Sequence, residues 1–403
     1  MRAVAVPFQD DPDRLRVRLA AWLAAHDAGG DEAAGDEAAG DEAAGDEAAG
    51  GGAAAGTAGM AGVRWELGEP TVPSGQGLSA ELVLLPAHRI GGDGRAEQRP
   101  LVVRLAPRRF RLYPWDRFAE QCRVAEILAR DTDVPVPPVY GHELDPAVLG
   151  APFVVLGRVD GDVPADIPPY HMQGFMIEMT LAARARVWDA GLVAMAGIHR
   201  LDPRRLGLGF AGQPEYGPVG AVQQLAAYER HLEFFAVDDA VRGVVGDALA
   251  WLHDHPPAER HPVRLVWGDA RLGNMIFQGE RVAAVLDWEM VSLGQPETDL
   301  GWFLHLDRHL SEGVGLARMP GLPDRAATVA RYAELLGRPM EDMDYYLLLA
   351  SLRHTLLAAR VTRLLGQYGP LPIGGVPPID RFAARLLARV LDEARSGVSL
   401  GAG

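Results

Sequence analysis

Apolar residues first recur at helical spacing in residues 12–26, where Leu15, Leu19, Trp22 and Leu23 share a face. Acids from Asp10 to Asp13 suit the positive end of that helix. The pattern stops in residues 27–62, which are almost wholly Gly, Ala, Asp and Glu and offer nothing to bury, so this stretch reads as a disordered linker. Short apolar runs follow. VRWELGEP, AELVLLPA and PLVVRLA predict three strands, with PSGQGLS between the first two and a polar hairpin tip at 88–99 between the last two. Residues 115–130 carry an amphipathic helical pattern, and VPVPPVYGHE and APFVVLGRVDG predict two more strands. After Gly161 the period becomes helical, over 177–200, 219–255, 324–337, 341–366 and 379–395, with a strand–loop–strand unit at 264–290. The expectation is an α+β chain: an N-terminal helix (1–26), the linker (27–62), a β-rich lobe with one helix (63–160), a helical lobe (161–395) and a flexible tail (396–403).

Composition narrows the chemistry. The formal charge is −15, and removing the eight acids of the DEAAG repeats leaves −7, the wrong sign for a nucleic-acid surface. All 39 basic residues are arginine, which excludes a Walker-type phosphate loop and lysine Schiff-base chemistry. One cysteine, Cys122, excludes an internal disulfide or a multi-cysteine metal site. There is no run of about 18 apolar residues to span a membrane, and the chain reads as soluble and cytoplasmic.

The segment RLVWGDARLGNMIFQGERVAAVLDWE, residues 264–289, concentrates the candidate chemistry. Asp269 ends one short strand, Asn274 opens a second and Asp287 ends a third, so three oxygen-bearing side chains stand at strand ends. This pattern suits phosphoryl transfer, which depends on positioning and charge neutralisation. Asp269 can accept a proton from, or orient, an acceptor hydroxyl. Asn274 and Asp287 are hard oxygen ligands for Mg²⁺, and Arg271 can reach a transferring phosphoryl group. Glu289 is a further candidate ligand or a solvent-facing acid.

WGDARLGN, followed by Asp287 thirteen residues after Asn274, resembles the catalytic and metal-binding segments of the aminoglycoside phosphotransferase family. LGNMIF, VLDWEMVSLGQPETDLGW and LPDRAATVARYAELLGRP resemble most closely its bacterial branch related to kinase domains fused to acyl-CoA dehydrogenases. The resemblance covers about residues 63–395. It implies a bilobal protein-kinase-like fold, with a small antiparallel β-sheet N-lobe and a mostly helical C-lobe, and a kinase using Mg²⁺ and ATP, with GTP left open. It further implies that Arg104 stands in for the nucleotide-anchoring lysine, with its acidic partner open among Glu120, Gln121 and Glu126. By the same resemblance, Ser74, Gly75, Gly77 and Ser79 form the phosphate loop, and Gly157 and Val159 belong to an inter-lobe hinge that bonds adenine. Asp299 resembles the family's buried aspartate that bonds the catalytic-loop backbone. Trp267 departs from the family's usual histidine, and Ala80 from a polar residue.

The reading is therefore a small-molecule kinase with a hydroxylated acceptor, of which a hydroxyacyl compound is one suited to apolar runs such as MQGFMIEM and YYLLLASL. Two alternatives stand beside it. One is a nucleotide-binding pseudokinase with a regulatory role. The other is an aminoglycoside kinase, which would need an acidic pocket built from residues such as Glu215, Glu229, Glu233, Asp238 and Asp239. His199 reads as a core histidine.

Overall fold

Leu101, Val103 and Leu105 are buried while Val102 and Arg104 between them are half-buried, the alternation of a strand with one face on a core. The computed structural model describes residues 11–35, 62–72, 81–108, 111–368 and 379–397. The described residues divide into two units: those within 11–108 with 138–158, and those within 111–137 with 159–397.

The first unit holds helix α1 (Pro12–Gly35) and strands β1 (Arg64–Leu67), β2 (Glu81–Leu85), β3 (Ala87–Ile90), β4 (Ala96–Gln98) and β5 (Leu101–Leu105). Two later strands, β6 (Val139–Glu143) and β7 (Phe153–Gly157), complete it. They form an antiparallel sheet in the order β2-β5-β7-β6 and a second sheet, β1-β3-β4. Leu15, Leu19, Trp22 and Leu23 of α1 join Val83, Leu85, Val103, Leu105, Phe153 and Val155 in one core. The register sets Arg104 opposite Leu82 and Val154, on the sheet face turned away from that core.

Two expectations change here. Residues 88–99 are largely β3 and β4, paired His88 to Gln98 and Ile90 to Ala96, rather than a polar tip. All three residues of β4 are exposed, so no apolar alternation marks it. The helix expected at 12–26 continues to Gly35, past Gly29 and Gly30 and against the low helix propensity of glycine. Most of the expected linker, residues 36–61, lies outside the described residues.

Helix α2 (Phe118–Asp131) opens the second unit. The sequence reading placed it in the β-rich lobe, but Val124, Ile127 and Leu128 belong to the large helical core, so packing assigns it here. The expected helix 177–200 breaks into α3 (Phe175–Glu178) and α4 (Leu181–Arg200), because the Thr180 hydroxyl caps α4 by accepting from the Ala183 N–H. The span 219–255 is similarly divided into α5 (Ala221–Arg230), α6 (Leu232–Phe235) and α7 (Asp239–Asp254), with Asp238 capping the last. Short strands β8 (Arg264–Val266), β9 (Met275–Gln278), β10 (Arg281–Val285) and β11 (Ser292–Gly294) pair as β8 with β11 and β9 with β10. Helices α8 (Glu297–Leu310), α9 (Arg325–Leu336), α10 (Met343–Tyr368) and α11 (Ile379–Ser396) complete the unit. Gly301 lets α8 approach α10, since a Cβ there would sit 2.8 Å from the Tyr346 carbonyl oxygen. YYLLLASL lies in α10 and is buried throughout, so it is core. Among the described residues, no helix is long and apolar enough to cross a membrane.

Candidate active site

The loop after β8 is held by its backbone. Gly268 takes a φ of +91°, and a Cβ there would lie 2.1 Å from the Met290 carbonyl oxygen, so only glycine fits. Asp299, fully buried in the first turn of α8, accepts the Trp267 and Gly268 N–H groups at 2.7 Å each. His199 Nε2 meets the same carboxylate at 2.8 Å, with its Nδ1 against the Tyr332 hydroxyl. His199 is thus a partnered core histidine. The Trp267 indole N–H donates to the carbonyls of Leu286 (2.9 Å) and Asp287 (3.0 Å), tying the loop after β8 to the one after β10. Asp299→Ala would leave two buried N–H groups unpaired, at a cost of about 2–4 kcal/mol. Chemical denaturation should show that loss of stability.

Asp269 stands on this platform, only 6% exposed. Its Oδ1 accepts the Trp302 indole N–H at 2.7 Å, its Oδ2 accepts the Asn274 amide N–H at 2.7 Å, and Arg271 Nε donates to both oxygens at 3.2 and 3.0 Å. Burial pushes the Asp269 carboxyl up to about 7, helped by the charge of Asp287 and opposed by the Trp302 and Asn274 hydrogen bonds. A carboxylate poised there is suited to exchanging a proton near neutrality.

Asp287 follows β10 with a φ of +60°, a left-handed conformation seldom found outside glycine, asparagine and aspartate. Asp269, Asp287 and Glu289 each bring an oxygen to within 4.8 Å of the others. This set of hard oxygen donors fits a divalent cation such as Mg²⁺. The Asn274 amide nitrogen donates to the Asp269 main-chain carbonyl at 3.1 Å as well as to its carboxylate. Glu289 also accepts the Tyr113 hydroxyl at 3.2 Å. Burial, with the charges of Glu289 and Asp269, pushes that phenol well above its usual range.

A family model described as the phosphotransferase enzyme family matches residues 89–336. The chain belongs to that family. Among curated relatives, the phosphotransferase is 30% identical over 170 residues to acyl-CoA dehydrogenase family member 11 of Gallus gallus, covering 42% of this chain and 20% of that protein. It therefore spans only about a fifth to a third of the length of the first curated relatives it matches. A provisionally named aminoglycoside phosphotransferase from Ralstonia eutropha shares its fold, with a TM-score of 0.62 and 24% identity, over 82% of this chain and 93% of that one. So does a thermostable mutant of aminoglycoside phosphotransferase APH(4)-Ia in ternary complex with AMP-PNP and hygromycin B, with a TM-score of 0.52 and 18% identity over 83% and 96% of the two chains. These likenesses establish the kinase-like α+β fold.

The phosphotransferase brings Asp269, Arg271, Asn274 and Asp287 together in one cluster. Arg271 is engaged differently from the expectation: besides Asp269 it pairs closely with Asp166. Arg104 lies in the other unit, as does Gly157, whose N–H bonds the Pro138 carbonyl at 2.7 Å. The Arg158 N–H is likewise committed to the Pro100 carbonyl at 2.8 Å, and Val159 begins the chain's return to the helical unit. Glu120 lies 3.9 Å from Arg117. The phosphate-loop residues Ser74, Gly75, Gly77 and Ser79 lie outside the described residues.

Sequence reasoning missed Trp302, Tyr113, Asp166 and Arg353. Trp302 had a readable signal, since it stands three residues after Asp299 on one helix face. Arg353 had another, a charge inside the apolar run of α10. Tyr113 and Asp166 come from irregular segments with no such marker.

Proposed function

We propose that this phosphotransferase moves the γ-phosphoryl group of Mg-ATP to a hydroxyl of a small molecule, and that the acceptor is a hydroxyacyl compound. The observation that carries the reading is the buried Asp269 carboxylate, fixed by Trp302, Asn274 and Arg271 beside the oxygens of Asp287 and Glu289. Asp269 accepts the hydroxyl proton or aims the hydroxyl in line. Asp287, Glu289 and the Asn274 amide oxygen would hold Mg²⁺, which when bound supplies charge neutralisation to the phosphate oxygens. Arg271 holds the base and offers positive charge to the transferring group.

ATP is favoured over GTP by the AMP-PNP in the APH(4)-Ia complex. Two observations favour an acyl acceptor over a polycation. Val163, Ile167, Met172, Ile177 and Leu181 are all exposed in the stretch that carries Asp166, the partner of Arg271. Three of the five acids that an aminoglycoside pocket would use are engaged elsewhere: Asp238 caps α7 and pairs with Arg381, Asp239 pairs with Arg242, and Glu229 with His253. The name of the Gallus gallus relative points the same way.

Calorimetry with Mg-ATP and Mg-GTP, followed by ADP release with hydroxybutyryl-CoA, ethanolamine and kanamycin as acceptors, tests the reading. Turnover with the thioester supports it. Binding of Mg-ATP without turnover on any acceptor would favour the regulatory reading, and no binding would remove both. Asp287→Asn should lower Mg-dependent ATP affinity and turnover together, each by about 10-fold or more, because it weakens the cation site itself.

A further inference from the structure

Arg353 is an anomaly of the helical unit. Only 3% of it is exposed, yet among the described residues it forms no ion pair, and its Nε is buried without a partner. Its contacts are few. One terminal nitrogen donates to the Gly268 carbonyl at 3.2 Å, and the other reaches the Gln224 side-chain oxygen at 3.4 Å. Its guanidinium carbon lies 4.8 Å from the ring centre of Trp302 and 5.6 Å from that of Tyr228. Burying a guanidinium with so little compensation costs stability, and packed apolar residues commonly do as well or better at such positions.

What Arg353 does touch converges on the base. The Gly268 carbonyl belongs to the peptide group that leads into Asp269. Trp302 is the residue whose indole N–H reaches Asp269 Oδ1 at 2.7 Å. A cation over the indole face fixes the ring and makes its N–H a stronger donor.

We propose that Arg353 is a positioning residue for the Asp269 carboxylate, acting through the Trp302 indole and the Gly268 carbonyl, and kept there without benefit to the stability of the fold. The inference rests on the reading of Asp269 as the residue that handles the acceptor hydroxyl. Arg353 itself touches no reacting group. It holds the two contacts that set where the carboxylate points.

The test uses the full chain with Mg-ATP as the probe and water or hydroxybutyryl-CoA as acceptor, following ADP release, Mg-ATP Kd by calorimetry, and Tm. Arg353→Met keeps the reach of the side chain and removes its charge and donors. Its ADP release should fall about 10- to 100-fold, the scale of a misplaced catalytic group, with Kd within about twofold and Tm not lowered. Arg353→Lys should recover part of the rate. Trp302→Phe should also be slow, and the double variant should be little slower than the slower single one, because both act along one route. Unchanged ADP release in Arg353→Met overturns the proposal, and so does a parallel loss of rate, affinity and Tm, the mark of a purely structural arginine. If Arg353→Met does not fold, Trp302→Phe decides: full-rate ADP release there overturns it. Asp269→Asn, run alongside, separates the two claims. If it is slow and Arg353→Met is not, only this inference fails; if Asp269→Asn runs at the full rate, the assignment of the base fails and takes this inference with it.

Discussion

Asp269→Asn should bind Mg-ATP almost as tightly as the unaltered protein and turn over about 10²–10⁴ times more slowly. The substitution keeps the shape of the side chain but replaces one accepting oxygen by a donor. Both oxygens of Asp269 receive N–H groups, from Trp302, Asn274 and Arg271, so the new amide must set a donor against a donor on one side. The carboxylate that receives the hydroxyl proton is lost as well. Rate and affinity should therefore separate, the signature of a group used in the chemical step rather than in binding. In the unaltered protein the rate should rise with pH as Asp269 ionises, around 7 in the cation-free site. A cation at Asp287 moves that rise to lower pH, because the Asp287 charge is one of the causes that lift it. The variant should lack this limb, which a pH–rate profile will show.

The second large effect is on stability in mild acid. His305 and His309, one turn apart on α8, meet His354 of α10, with His305 Nε2 and His354 Nδ1 3.2 Å apart and the His309 and His354 rings 4.1 Å apart. Burial, together with the neighbouring histidines, holds His305 and His354 well below the usual imidazole range, and burial takes His309 down to about 4. Each is neutral when folded and titrates near 6.5 when unfolded. The unfolded chain thus takes up more protons as pH falls below 6.5, so stability present above that pH is lost towards 4 and beyond. His309 alone should remove about 2 kcal/mol by pH 5. Asp269 works the other way. Its folded value of about 7 lies above the unfolded one, so its protonation favours the folded state as pH falls. Urea denaturation at pH 7.5, 6 and 5 in the Asp269→Asn background removes that opposing contribution. Stability should fall steadily there, and His309→Leu should flatten the fall.

The readability of each part follows from how local its cause is. Asp269, Asn274 and Asp287 could be placed from sequence because β8, β9 and β10 are consecutive, although each residue lies in a short loop or turn beside its strand rather than at the strand end that the pattern suggests. Trp302 reaches Asp269 from α8, and Arg353 reaches Trp302 from α10, a contact between helices whose approach depends on Gly301 and on packing far along the chain. The apolar run at 345–352 is equally compatible with a pocket wall and a core, and burial selects the core. Strand β4 carries only exposed residues, so its pairing with β3 leaves no hydrophobic trace. Helix α2 showed its apolar face clearly, but an amphipathic pattern does not name the partner that the face will meet.

The left-handed backbone at Asp287 bears on how a saturation library at that codon should be interpreted. Alanine, glutamate and β-branched residues would each add conformational strain of about 1–2 kcal/mol to whatever they do to the chemistry. Abundance scores and activity scores would then fall together and conceal the cause. Asparagine and glycine tolerate that φ, so they alone vary the ligand while holding the main chain constant. Glutamate, the usual test of whether a carboxylate suffices, is a misleading control at this codon: its failure would report the peptide geometry as much as the missing ligand.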